Sequence, residues 1–194
     1  MLKFFAQIIS TVLNPILLLV PVPYFLVLKS TNNQALAYFW EIFSLVFLLV
    51  ISVFILIGVE KKTFSDLDIS KRKQRPLLFT FAIGLSAIYT VLLYFLSAPQ
   101  ILFIAIFTLI LGLVIFELVN RTTKASLHVG TISAFATSLF IVYDGVFVFT
   151  FLLIPLVAWA RIKTHNHTKQ QTLIGAALGI LITLIVYVIF KYIV

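Results

Sequence analysis

The chain has 194 residues, of which 62% are hydrophobic and only 10% charged, and its mean hydropathy is +1.20. A soluble domain carries about 25% charged residues, so there is too little polar material here to coat a water-exposed surface, and the sequence reads as a polytopic membrane protein. The formal charge of +8 then reflects topology and an anionic ligand rather than nucleic acid, and the lack of cysteine excludes disulfides, thiolate metal sites and cysteine nucleophiles.

A spanning helix needs about 20 mostly apolar residues. On that basis spans are expected at about 4–28, 37–59, 77–96, 99–118, 129–143, 145–160 and 172–193. The fold expected is an all-α transmembrane helix bundle of six to seven spans, with residues 1–194 as a single integral membrane domain. The first apolar run follows Lys3 without a small-residue cleavage site, unlike a cleaved signal peptide. Pro15, Pro21 and Pro23 should kink or break it, which neighbouring helices can tolerate. "SAPQ" (Ser97 to Gln100) and "YDG" (Tyr143 to Gly145) are tight hairpins, the second between two short spans. In the last span Gly175 and Gly179 fall on one face, a small-xxx-small pattern suited to close helix packing.

With seven spans, the N-terminus and the loops at 60–76, 119–128 and 161–171 share one side. Twelve of the 14 basic residues lie there, against only Lys29 and Lys191 on the other. That asymmetry makes the loop side cytoplasmic, with the cell membrane as the expected location.

Three polar segments fall on this side. Residues 60–76, "EKKTFSDLDISKRKQRP", present basic groups to lipid headgroups, while Arg75 stands at a helix entrance with a planar fork suited to phosphate. In "RTTKASLHVG", Ser126 and His128 open a short span where unpaired backbone N–H groups can receive an anion. The third segment, "WARIKTHNHTKQQ", carries Arg161, His165 and His167. Residues two apart on a helix point in nearly opposite directions; an extended stretch would bring the two histidines to one side, yet a metal site usually needs three or four protein ligands and no such spacing is present. His165 reads as an interfacial residue or a neighbour of a site rather than a reacting group.

Taken in order, these segments resemble the type-2 phosphatidic acid phosphatase superfamily, whose pattern is KxxxxxxRP, then PSGH, then SRxxxxxHxxxD. The matching stretches lie within about residues 60–180: Arg75 falls on the first arginine, Ser126 and His128 on the second motif, and Arg161 and His167 on the third. "TLIGAALG" is similar to the small-residue helix that closes the family's fold. Several positions depart from the pattern. Asp68 occupies the lysine position, leaving Lys71 or Lys73 to take that role, and Ala125 and Leu127 replace the proline and glycine. Gln171 replaces the aspartate that orients the nucleophile. Two spans separate the first and second motifs where many relatives have a loop, and familiar bacterial members carry the site outside the cytoplasm.

The resemblance implies a cofactor-free phosphohydrolase. His167 would attack phosphorus and form a phosphohistidine, His128 would protonate the leaving oxygen, and Gln171 would hold the imidazole tautomer without adding charge. Arg75, Lys71, Ser126 and Arg161 would bind the phosphoryl oxygens. The partner expected is a lipid phosphate or isoprenoid (di)phosphate held among membrane lipids. Two alternatives stand beside it: a non-catalytic protein that binds or transports a lipid phosphate, and an intramembrane prenyltransferase built on Asp66 and Asp68.

Overall fold

The computed structural model describes residues 1–193, with side chains through Lys191. Among the described residues it is helical, without strands. Apolar runs favour this form because a helix satisfies its own backbone groups where no water can. By length and composition, four helices can cross a membrane: α4 (Gln34–Glu60), α5 (Arg75–Phe95) with the 3-10 turn before it, α6 (Gln100–Asn120) and α9 (Lys169–Ile193). A fifth span results if the bent run Leu2–Val12 and Pro15–Thr31 counts as one. These helices mark an integral membrane protein. The stretches expected to span at 129–143 and 145–160 form α7 (Leu127–Val142, 16 residues) and a 3-10 turn (Val148–Leu152) leading into α8 (Leu153–Lys163, 11 residues). Neither helix reaches the usual spanning length of about 20 residues.

The first apolar run is broken, as its prolines require. α1 (Leu2–Val12) ends before Asn14, and α2 (Pro15–Leu19) begins at a residue with no N–H to donate. Asn14 stitches the break: its amide nitrogen donates to the Thr11 carbonyl and its oxygen accepts the Leu17 N–H, each at 3.0 Å. α3 (Val22–Thr31) restarts after Pro21 and carries Pro23 in its first turn, where a missing N–H costs nothing.

The chain divides into two compact units, residues 19–122 and residues 1–18 with 123–194. In the first, α3 packs on α4 and α6, and α5 packs on α4 and α6, around Val27, Trp40, Tyr89, Leu93 and Leu102. Within this core the Ser44 and Tyr89 hydroxyls bond at 2.7 Å, which lets a tyrosine be buried. Ser97 turns α5 into α6 in a left-handed conformation (φ 52°), and the Ala98 N–H reaches back to the Leu93 carbonyl at 3.0 Å. That six-to-one bond closes the helix before Pro99.

In the second unit α7 packs most extensively on α9, with α8 against α1, α7 and α9. Leu18, Val129, Ile132 and Val157 form its core. A Cβ at Gly175 would lie 2.5 Å from the Ser126 carbonyl oxygen, and one at Gly179 would overlap the Gly130 carbonyl. Only glycine allows the two backbones this close, so the small-xxx-small face of α9 is its seam with α7. At the other end of α7, Asp144 and Gly145 are both left-handed (φ 51° and 84°), and the Gly145 N–H returns to the Phe140 carbonyl at 2.8 Å.

Candidate functional site

The polar end of the second unit is built by two consecutive helix caps. α8 ends in a left-handed His165 (φ 60°), whose N–H bonds the Ile162 carbonyl at 3.0 Å. The Arg161 carbonyl then accepts the N–H groups of Asn166 and His167, at 3.1 and 3.2 Å. This arrangement stops a helix and reverses the chain, so His165 serves the turn through its backbone. Thr168 immediately caps α9: its hydroxyl accepts the Gln171 N–H at 3.3 Å, while the Gln171 side-chain oxygen accepts the Thr168 N–H at 3.2 Å. Such a reciprocal pair is a capping box.

The same Gln171 oxygen lies 3.1 Å from Nδ1 of His167. Because the backbone N–H of Thr168 requires an oxygen at that place, the amide orientation is fixed, and Nδ1 must be the donating nitrogen. In the neutral ring Nε2 therefore carries the lone pair. His167 is largely buried, at 6% exposure.

Ser126 caps α7 with its hydroxyl toward the Val129 N–H at 3.5 Å, and its own N–H bonds the Gln171 backbone carbonyl at 3.1 Å. The second and third motif segments are thus tied by the backbone. His128 sits in the first turn of α7, buried. Arg161 is 1% exposed; its Nη1 donates to the Ser10 hydroxyl of α1 at 2.6 Å. With the Asn166 amide turned oxygen-first, the guanidinium also reaches that oxygen at 3.2 and 3.3 Å.

An open cleft of about 420 Å³ lies at this end, lined by Lys124, His165, Asn166, His167, Thr168 and Gln171, with Ile162 as its apolar contribution. Of the residues expected at the site, His167 and Gln171 line it, whereas Ser126, His128 and Arg161 are buried outside its lining. Lys124, absent from the expected set, enters instead, and its Nζ donates to the Asn166 carbonyl at 2.9 Å. The signal in the sequence was its place two residues before Ser126, in a segment read only for its serine and histidine.

Arg75 and Lys71 belong to the other unit. Arg75 opens α5 just before Pro76, is 3% exposed, and donates from Nε to the Ile69 carbonyl at 3.2 Å. Ile69 is left-handed (φ 47°), uncommon for a β-branched residue, and is held by its N–H on the Asp66 carbonyl at 3.0 Å. Lys71 is exposed beside the 3-10 turn Arg72–Gln74. Burial pushes the Asp66 carboxyl up, but hydrogen bonds from the Ser65 and Ser70 hydroxyls and from the N–H groups of Ser70 and Asp68 outweigh it and hold the carboxyl below its ordinary value. Asp66 is thereby an organiser of its own loop. Among the described residues no group of three or more His, Asp or Glu side chains could hold a metal ion.

No protein-family model, curated protein or solved structure matches the chain.

Proposed function

We propose that the chain is a membrane lipid-phosphate phosphatase-like protein, similar to the type-2 phosphatidic acid phosphatase superfamily, with His167 as its nucleophile. The observation that carries this reading is the 3.1 Å contact of His167 Nδ1 with Gln171, beside an open cleft lined by basic groups. It directs the Nε2 lone pair away from the capping oxygen, the condition a nucleophilic imidazole needs. In the reaction Nε2 attacks phosphorus, the ester P–O bond breaks, and the leaving oxygen takes a proton from water in the open cleft, His128 lying buried outside its lining. Water then attacks the phosphohistidine, releasing phosphate and restoring the imidazole. The substrate is a phosphomonoester or diphosphate on a lipid or isoprenoid, its tail among the apolar helices.

In this reading α7 and α8 are short crossings beside α9, completing seven spans with the bent first run. A 16-residue helix reaches about 24 Å at 1.5 Å per residue, and local thinning of the bilayer makes up the difference. The loops rich in basic residues then face the cytoplasm at the cell membrane.

A second reading, a lipid-phosphate binding or transport protein, is favoured by one feature: Gln171 is neutral and already engaged as a cap. Phosphate release in EDTA separates the two. The enzyme reading expects metal-independent release from the unaltered chain, a ³¹P signal of phosphohistidine, and loss of both in His167→Ala. Equal release from the two proteins would overturn it and leave the binding reading.

A further inference from the structure

Acidic side chains are few in this chain, and one of them stands inside a span. Glu41 lies two turns into α4, with apolar sequence on both sides. We propose that Glu41 is a proton-binding carboxyl within the membrane, open to covalent modification by hydrophobic carbodiimides. The site belongs to the unit of residues 19–122 and does not depend on the reading of the cleft.

Depth is the first support. α4 has 27 residues, about 40 Å at 1.5 Å per residue, against an apolar layer of about 30 Å. Glu41 is about 10 Å from its start, so the carboxyl falls within that layer. The other acidic residues of the spans are differently placed: Glu117 has Arg121 at 3.8 Å, and Glu60 is exposed at the end of α4, next to Lys61 and Lys62. Among the described residues Glu41 forms no ion pair. Lys29 is exposed in the last turn of α3, whereas Glu41 meets the first.

Geometry is the second. Oε2 of Glu41 accepts the Tyr24 N–H at 3.1 Å. Tyr24 is in the first turn of α3, where Pro23 has no N–H to offer, so Glu41 fastens the restart of the broken first run to α4. The titratable groups around it are phenols: Tyr24, Tyr38 with its ring 4.9 Å from that of Tyr24, and Tyr89 of α5, bonded to Ser44 three residues after Glu41. One N–H and the positive end of a short helix return less than a bare carboxylate loses in the apolar layer, so the carboxyl takes up a proton. As the acid it keeps the Tyr24 N–H on its carbonyl oxygen and has an O–H to give. Losing that proton makes the bond charge-assisted, so proton release tightens the joint between α3 and α4.

The test treats the full chain in detergent micelles with dicyclohexylcarbodiimide and locates modified peptides by mass spectrometry. The Glu41 O–H proton passes to one carbodiimide nitrogen while the carboxyl oxygen bonds the central carbon. The acyl group then migrates to nitrogen, leaving a stable N-acylurea that keeps every atom of both reactants. Glu41 should react at least about tenfold faster than exposed Glu60, and its rate should fall about tenfold or more from about pH 6 to about pH 9 as the proton leaves. This measurement uses the unaltered chain, so it survives a variant that fails to fold. Infrared spectra should show a protonated-carboxyl C=O band that shifts in heavy water and is missing from Glu41→Gln, whose amide oxygen can still accept the Tyr24 N–H. Equal rates at Glu41 and Glu60, a rate indifferent to pH, or identical spectra of the two proteins would each overturn the proposal. Protection of Glu41 by sodium at constant pH would also overturn it, because a metal cation would then be the ligand.

Discussion

The carboxamide oxygen of Gln171 accepts the Thr168 N–H and faces Nδ1 of His167, so one atom both closes the first turn of α9 and orients the imidazole. A carboxylate in its place would keep both bonds and add the charge that a developing imidazolium favours. Gln171→Glu is close in shape and keeps the capping box, since glutamate is an ordinary partner in it. Charge-assisted hydrogen bonds are roughly twice as strong as neutral ones, so single-turnover phosphoryl transfer in Gln171→Glu is expected to rise about tenfold. Gln171→Ala should slow the same step and lower helix stability by about 1 kcal/mol through the lost cap. A faster Gln171→Ala would show that residue 171 does not orient the nucleophile. The His167–Gln171 pair was legible because residues four apart share a helix face. Lys124 and Ser10 were not, because their partners lie 42 and 151 residues away and only the fold brings them together.

At the scale of elements, two pairs of helical glycines differ in what surrounds them. Gly175 and Gly179 meet the backbone of α7, whereas Gly84 and Gly112 have nothing within 4 Å of an added Cβ. Gly179→Ala therefore forces a steric overlap and should cost about 1–3 kcal/mol. Gly84→Ala and Gly112→Ala should be neutral or stabilise by about 0.5–1 kcal/mol through helix propensity. Thermal unfolding in detergent measures all three, and equal midpoints for Gly179→Ala and Gly112→Ala would contradict the α7–α9 seam. Element ends were legible where turn chemistry is local, as at "SAPQ" and "YDG". The lengths of α7 and α8 were less so, because an apolar run records where helix is allowed and not where a 3-10 turn interrupts it, as at Val148–Leu152.

For the whole molecule, 10% charged residues indicated a membrane protein, and continuous apolar runs of about 20 residues indicated helices. The number of crossings depends on the short helices, which composition does not decide. Sidedness can be tested directly because the chain has no cysteine to give background labelling. Gln34 and Lys73 are both exposed, one at the start of α4 and the other after its end. In intact cells an impermeant maleimide should label Gln34→Cys, and label Lys73→Cys only after permeabilisation. The opposite order would place the basic loops outside.

The glycine seam also bears on the rate at which the cleft can fill and empty. The Ser126 carbonyl rests on Gly175, and the Ser126 N–H holds the Gln171 carbonyl, so the beginnings of α7 and α9 form one stiff block. Sliding either helix would drive a side chain into the other's backbone. On the proposed reading of the cleft, ligand exchange would therefore need no helix displacement of the microsecond-to-millisecond kind.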